Sequence, residues 1–544
     1  MDIKLEETER AIDDKYPEFR RSQRERKPPV RYPFNEVLSA TNEELTFDEI
    51  KFLPEEEQSN WKNAMDEEML SMEKNKVWDL VELPEKEKQP ITCKWIFKRK
   101  RDGKYKACLV ARGFMQKEGV DYTETFSPVI SMPSLRLVLV LILQENLHSY
   151  VMDVKTAFLN GDLDEVVYMT QPQDYDDGTR KVCKLNKSLY GLKQAPRQWF
   201  HKFQQFMNKV KFKQSTSEPC IFIRKEKGRK IIICLYVDDL LIAGSDPDEV
   251  KTVINLLQNE FEMSAPATEF LGIRLVFTPT ELKLDQEEYI DKMLKRFNMS
   301  DCKPCSTPLE PKCTSADFAN SELFEGHFRE LIGSLLYLAV TTRPDILFSV
   351  NCLSQLQEKP TVAAWTGLKR ILRYLKGTKN FKLVYKKLHN PNFNIDLYVD
   401  ADTIDRKSVS GYALMFCNCP ILWWCKKQNY ISLSSTEAEI IAVSKSLQDL
   451  LYYKSVINEI SHINSISIYK DNQSAIKSVT NENVCGRLKH LDVKLKFIRE
   501  TLINHCISVK YVCTENQIAD LFTKSLSKCK LYKLLCLCSI WMRD

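Results

Sequence analysis

The chain has 544 residues, 28% of them charged and 43% hydrophobic, and a net charge of +5. That length calls for several hydrophobic cores, and that composition excludes fibrous and disordered classes. The longest unbroken apolar run, Leu137–Leu143, is seven residues, far from the roughly 20 needed to span a bilayer. The charged N-terminus carries no apolar signal segment, so we expect an intracellular protein with no membrane partner.

Residues 1–90 hold 15 basic and 24 acidic side chains, about −9, which leaves about +14 on the rest. An excess of that size suits a polyanionic partner. The eighteen cysteines follow no repeated spacing, which fits reduced thiols better than a disulfide framework. Cys417, Cys419 and Cys425 come nearest to a metal pattern but lack a fourth ligand at finger-like spacing.

In chain order, residues 1–55 read as a polar linker with a basic cluster, Arg20–Arg31, broken by Pro28-Pro29; that cluster fits a solvated tail or a nuclear import signal. From Glu56 a helix is expected, with Trp61, Met65, Met69 and Met72 on its core face. Cys93–Arg99 and Tyr105–Val110 read as a basic hairpin turning at Asp102-Gly103. A helix over Leu135–Leu147, a strand over Tyr150–Val154 and a helix across Pro196–Val210 follow. Strands Lys230–Val237 and Leu240–Ala243 flank an acidic pair. Beyond Gly272 the pattern is mostly helical to about Thr378. An α/β unit then runs from Asn394 to Lys524, with strands at Ile395–Val399, Gly411–Phe416, Asn429–Leu433 and Ser465–Tyr469, a helix after Ser435, and helices to the end.

Tyr236-Val237-Asp238-Asp239 places two carboxylates at a hairpin tip between buried strands. Adjacent anions on a rigid turn are unfavourable unless solvated or neutralised by a cation, and magnesium is the natural cation for carboxylate and phosphate oxygens. A simply solvated Asp-Asp turn is the competing reading. Asp153, at the end of another apolar strand, supplies a third carboxylate, and two-metal nucleotidyl transfer needs several to bridge its ions.

The runs Met152–Gly161, Ser188–Arg197 and Tyr236–Asp239, in this order and spacing, resemble the reverse transcriptase motifs of copia-type (Ty1/copia, pseudovirus) LTR retrotransposon Pol polyproteins. The resemblance extends from about Trp61 to Lys524. It implies an α+β and α/β multidomain fold: a right-hand polymerase of fingers, palm and thumb over 56–300, a connection segment over 301–390, a ribonuclease H-like domain over 391–526, and a tail over 527–544. It implies catalytic metal ligands at Asp153, Asp238 and Asp239, with two Mg2+ ions per active site and Mn2+ as an alternative. One ion would lower the pKa of the primer 3′-hydroxyl and the other would stabilise the leaving pyrophosphate. Phe158 matches the steric gate against a ribonucleotide 2′-hydroxyl, Gln194 the residue lining the dNTP pocket, and Phe270-Leu271-Gly272-Ile273 the primer grip. Lys106 and Arg112 of the basic hairpin match cations that clamp the triphosphate. Family members usually carry Arg where this chain has Cys108; one lost charge-assisted contact is worth roughly 1.5–3 kcal/mol. The stretch 263–269 is also shorter than the family's.

For the C-terminal unit the resemblance implies a ribonuclease H site of Asp400, Glu437, Asp471 and Asp520, cutting the RNA strand of a hybrid. The loop after Asp402 is shorter than in the family. Between the two enzymes, Ile332–Leu338, Thr342–Ile346 and Lys369–Thr378 look like the connecting segment; the basic residues of Lys369–Thr378 suit either a hybrid backbone or a solvated face. Expected partners are an RNA template, a DNA primer, RNA–DNA hybrid and dNTPs, with the element's integrase or capsid protein as further candidates, in a cytoplasmic particle and in the nucleus. No aspartic protease motif, His/His/Cys/Cys module or zinc knuckle is present, and Arg21–Arg24 with Pro28–Tyr32 resembles the linker after integrase, so we expect part of a longer polyprotein or a truncated copy. The rival expectation is a decayed or co-opted copy that binds nucleic acid without catalysis, motivated by Cys108 and the shortened segments.

Overall fold

The computed structural model describes residues 45–84, 89–99, 103–264, 268–404, 407–481 and 491–541. The Arg20–Arg31 cluster, most of the 1–55 linker, Lys100–Asp102 of the hairpin turn, residues 265–267 of the shortened stretch and Asp405-Arg406 lie outside the described residues. The described residues form one compact unit, mixed α and β throughout.

The first long helix, Glu55–Lys74, buries Trp61, Ala64, Met65 and Met72 at three- and four-residue steps, with Met69 half-buried. This stripe lies on the basic hairpin, where the Trp61 ring meets Phe97 and Tyr105 edge-on at 5.3 and 4.6 Å. The hairpin strands Cys93–Arg99 and Tyr105–Ala111 pair antiparallel. Alternation along the second buries Ala107, Leu109 and Ala111, so Lys106 faces out with its neighbours on the solvent side.

The central sheet is antiparallel, in the order His148–Asp153, Asp239–Gly244, Arg229–Tyr236, Ile221–Glu226, Lys213–Gln214. Its strands are almost continuously apolar because helices Ala195–Lys209 and Pro247–Glu260 and the helix Met132–Gln144 sheath it. That last helix starts earlier than the expected Leu135. Ser131 accepts the amide of Ser134, with a proline in the first turn, a cap that sets its start. It is buried on every side from Ser134 to Gln144 because its far face packs on the C-terminal unit, as an all-round apolar helix should. Arg136 anchors that contact: it donates to the carbonyls of Ile421 (2.8 Å), Val340 (2.7 Å) and Thr341 (2.9 Å) and stacks on Trp423.

Beyond Gly272 the expectation of a helical stretch fails at first. Ile273–Phe277 and Glu281–Asp285 form a sheet with Glu269–Phe270, Lys382–Lys386 and Ile540–Trp541. Helices Phe328–Thr341, Leu347–Ser354 and Val362–Gly377 follow. The Thr342–Ile346 motif serves the core there: Arg343 pairs with Asp345 (2.6 Å) and donates to the Thr378 carbonyl (2.9 Å), and Tyr374 donates to Asp345 (2.7 Å). The basic face of the last helix is partly committed, since Arg370 pairs with Glu310 (2.6 Å) and Arg373 donates to the Lys303 carbonyl (2.7 Å).

The C-terminal unit is a five-stranded sheet in the order Cys419–Lys427, Lys407–Phe416, Asn394–Ile404, Ser465–Lys470, Ile507–Tyr511. The first three strands are antiparallel, and the last two run parallel to Asn394–Ile404 and to each other. Helix Ser435–Ile460 crosses the sheet. The strand expected at Asn429–Leu433 is instead an exposed loop; the apolar strand is the preceding Cys419–Lys427. The residues expected as a tail from 527 are folded: helix Lys528–Leu537 buries Leu531, Leu534 and Leu535, and Ile540–Trp541 completes the other sheet. Among the described residues, no helix is long and apolar enough to cross a membrane.

Candidate functional site

The Asp238-Asp239 pair sits where strand Arg229–Tyr236 turns into strand Asp239–Gly244, and Asp239 is the register partner of both Tyr236 and Asp153. Three carboxylates therefore share one sheet edge. The turn is strained, because Val237, a β-branched residue, adopts φ 53°, a conformation that costs of order 1–3 kcal/mol and persists only where its surroundings enforce it. Two bonds enforce it here. The Trp199 indole donates to the Val237 carbonyl (2.5 Å), and the Val154 amide donates to the Asp238 carbonyl (2.8 Å).

Burial, then repulsion from Asp153, pushes the Asp238 carboxyl up to about 6; burial, then Asp238 and Asp153, pushes Asp239 to about 7. Among the described residues neither is held in an ion pair, and Lys106 acts on Asp238 only at longer range. Half-buried carboxylates that repel one another are a donor set suited to divalent metal.

The primer-grip candidate is the two-residue turn Leu271-Gly272 between the paired residues Phe270 and Ile273. Both turn residues have positive φ, 54° and 69°, the tight hairpin geometry in which glycine is at ease and leucine is not. The Leu271 amide acts on the Asp239 carboxylate, partly opposing the rise that burial and the neighbouring acids cause, and the Leu271 carbonyl accepts the Tyr337 hydroxyl at 2.8 Å. Gly272 also permits close approach, since a Cβ there would lie 3.2 Å from the Tyr337 oxygen.

Phe158 is buried with its ring 4.6 Å from Tyr190, and its carbonyl accepts the Ser188 hydroxyl. Tyr190 faces the acids: burial and then Asp238 raise its phenol well above the ordinary value. The Tyr190–Gln194 run packs backbone to backbone against the hairpin. A Cβ at Gly191 would come within 2.1 Å of the Ala111 carbonyl oxygen, so only glycine fits. Lys106 and Arg112 are exposed on that hairpin, and Cys108 is half-buried between them. Gln194, expected to line a pocket, is 1% exposed. Its amide accepts from Gln116 (2.9 Å) and donates to the Asp121 carbonyl (2.9 Å), so in this conformation it props the Gln116–Asp121 turn.

In the C-terminal sheet, Asp400 lies mid-strand, Asp471 just past the end of Ser465–Lys470, and the crossing helix supplies a glutamate. The glutamate is Glu439. Ligand oxygens of Asp400, Glu439 and Asp471 all lie within 4.8 Å of one another, the one such group among the described residues. Glu437, the expected ligand, accepts the Leu433 amide (2.7 Å) and secures the helix start. Asp520 is buried beside this group, paired to Lys524 (3.0 Å) and Lys530 (2.5 Å). Burial raises Asp400, but Lys524, Lys470 and the Thr523 hydroxyl outweigh it and hold its carboxyl below the usual range. Burial pushes Glu439 up to about 7. The cysteines at 417, 419 and 425 are buried free thiols.

Sequence reasoning missed Tyr190, Glu439, Trp199, Tyr337 and Glu68. Glu68 carried a signal: it occupies the apolar face of its helix, and its carboxylate takes the Leu109 amide (3.3 Å) under the hairpin.

A family model described as reverse transcriptase (RNA-dependent DNA polymerase) matches residues 75–311. Over 538 residues the chain is 39% identical to the retrovirus-related Pol polyprotein from transposon TNT 1-94 of Nicotiana tabacum, covering 94% of this chain and 40% of that protein's length. It is 30% identical over 316 residues to a transposon Ty5-1 protein of Saccharomyces cerevisiae, covering 55% of this chain and 100% of that one. A solved foamy viral protease-reverse transcriptase in complex with double-stranded DNA aligns with 84% of this chain and 70% of its own, at 14% identity and TM-score 0.47. The chain belongs to the reverse transcriptase family of copia-type retrotransposon Pol polyproteins.

Proposed function

We propose that the chain is an RNA-dependent and DNA-dependent DNA polymerase working by two-metal nucleotidyl transfer, with a second acidic site that cleaves the RNA strand of RNA–DNA hybrids. In this reading residues 56–300 supply fingers, palm and thumb, 301–390 the connection, and 391–526 the ribonuclease H-like domain. The observation that carries it is the set Asp153, Asp238 and Asp239, brought to one sheet edge by register and by a strained turn.

Asp153, Asp238 and Asp239 would hold the divalent ions, Mg2+ or Mn2+, which supply activation of the primer 3′-hydroxyl and neutralisation of the leaving pyrophosphate. The chain's own residues do the rest. The Leu271 amide favours the ionised form of the Asp239 carboxyl. Lys106 and Arg112 present exposed cations to the triphosphate, an electrostatic contribution that needs no proton transfer. The Phe158 ring, backed by Tyr190, excludes a sugar carrying a 2′-hydroxyl. RNA template, DNA primer and dNTPs are the substrates, and hybrid RNA is the substrate of the Asp400–Glu439–Asp471 group.

The test is magnesium-dependent dTTP incorporation on poly(rA)/oligo(dT), with Asp238→Asn as the control. Incorporation by the native chain and its loss in the variant are expected. Equal background from both proteins, with hybrid binding intact, would refute the polymerase.

A further inference from the structure

In the ribonuclease H-like domain the acidic group already contains cations. Lys470 ends its strand one residue before Asp471, and its side chain is 0% exposed. Its ammonium is ion-paired with the Glu439 carboxylate and donates to the Val399 carbonyl at 3.1 Å. Lys524 reaches Asp400 (3.7 Å) and Asp520 (3.0 Å), and Lys530 takes the other Asp520 oxygen (2.5 Å). Counted as fully ionised, Asp400, Glu439, Asp471 and Asp520 meet three ammonium groups, and the half-buried Asp402 also acts on Lys524 and Asp400, so the formal charge before metal is about −2. Two divalent ions added to this arrangement would bring a surplus of positive charge into a buried site, where like charges repel strongly. Lys524 and Lys530 are partly exposed, and their flexible stems can swing toward water. Lys470 has no such path: leaving Glu439 would strand a buried ammonium, at a cost paid on every metal-binding event.

Resting on the metal-site reading above, we propose that Lys470 is a tethered internal cation that takes the place of one divalent ion at Glu439. Metal then binds this domain weakly, through Asp400 and Asp471, and hybrid cleavage requires much more Mg2+ or Mn2+ than polymerisation does.

The experiment is Mn2+ titration of the full chain by electron paramagnetic resonance, in an Asp153→Asn, Asp238→Asn, Asp239→Asn background that silences the polymerase acids. Lys470→Met is compared with Lys470, each with and without Asp400→Asn. Should the Met variant fail to fold, Lys470→Gln replaces it, because its amide still bonds to Glu439 and to the Val399 carbonyl. The expected result is Mn2+ binding that depends on Asp400 and tightens at least tenfold when Lys470 is replaced. In parallel, melting of the Lys470 variant should become Mn2+-dependent while the parent's stays nearly flat. Equally tight Asp400-dependent binding in parent and variant would overturn the proposal and leave the metal site standing. Binding indifferent to Asp400→Asn in both would overturn the metal-site reading, and the Lys470 proposal with it.

Discussion

Tyr337→Phe deletes one oxygen, 66 residues in sequence from the turn it serves, and should slow polymerisation. Tyr337 is 6% exposed and its ring packs edge-on against Tyr289 at 4.9 Å, so phenylalanine keeps the packing and removes the 2.8 Å bond to the Leu271 carbonyl together with the hydroxyl's interaction with Gln286. That carbonyl would be left buried without its donor, a penalty of about 1–3 kcal/mol. Leu271 is also held at φ 54°, where a non-glycine residue stores about 1–3 kcal/mol. Rearrangement of the Leu271-Gly272 turn would relieve both, and it would move the Leu271 amide relative to the Asp239 carboxylate on which it acts. If about 1.4 kcal/mol of this reaches the reacting geometry, the rate falls about tenfold. The assay is steady-state dTTP incorporation with the folded fraction measured alongside, and the signature is a lower kcat per folded molecule. Leu271→Gly in the Tyr337→Phe background should restore part of the rate, because glycine holds the turn without the hydroxyl. An unchanged rate per folded molecule, or no rescue by glycine, would refute the claim that Tyr337 positions Asp239 through the Leu271 turn.

Three further outcomes are expected. Phe158→Ala should raise the ratio of ribonucleotide to deoxyribonucleotide incorporation, and unchanged sugar discrimination would remove Phe158 from that role; the variant should also lose about 3–5 kcal/mol of stability, since the ring is packed against Tyr190. In a hybrid-cleavage assay at high Mn2+, Glu439→Gln should abolish cutting, because it strands the buried Lys470 ammonium beside Asp400 and Asp471, whereas Glu437→Gln should keep cutting and merely loosen the helix start by about 1 kcal/mol; the reverse pattern would put Glu437 in the place of Glu439. Arg136→Met should lower the urea midpoint by the equivalent of about 3–5 kcal/mol, because the carbonyls of Ile421, Val340 and Thr341 lose a shared buried donor, and an unshifted midpoint would show that they are satisfied without it.

What the sequence revealed follows from how far apart the cooperating residues lie. The Asp238-Asp239 tip, the basic hairpin and the apolar face of Glu55–Lys74 are local patterns, written in consecutive or periodic residues, and they fold as their spacing implies. The glutamate of the second site defeated that approach. Glu437 and Glu439 point about 200° apart on a helix, and only the position of the sheet beneath Ser435–Ile460 decides which one meets Asp400 and Asp471. Asn429–Leu433 misled for a related reason: its apolar residues look like a strand, but Tyr430, Ile431 and Leu433 are exposed, and the ladder is filled by Cys419–Lys427. Gln194 belongs to a motif that lies against the basic hairpin, yet its partners Gln116 and Asp121 are more than 70 residues away in sequence, so no local signal shows the side chain turned inward. Compensation of charge was equally hidden. The sequence offers an acid beside a lysine at Lys470-Asp471 and acids without one at Asp238-Asp239, and neither pairing states which ammonium reaches which carboxylate. In three dimensions the carboxylates of the first site are paired with its own lysines, while the second holds two carboxyls pushed up by burial and mutual repulsion with no ion pair among the described residues. Clustered acids are therefore compensated in two different ways within one chain: at Asp238-Asp239 no ion pair among the described residues relieves the burial and repulsion, whereas around Asp400, Glu439 and Asp520 the chain's own ammonium groups share the charge.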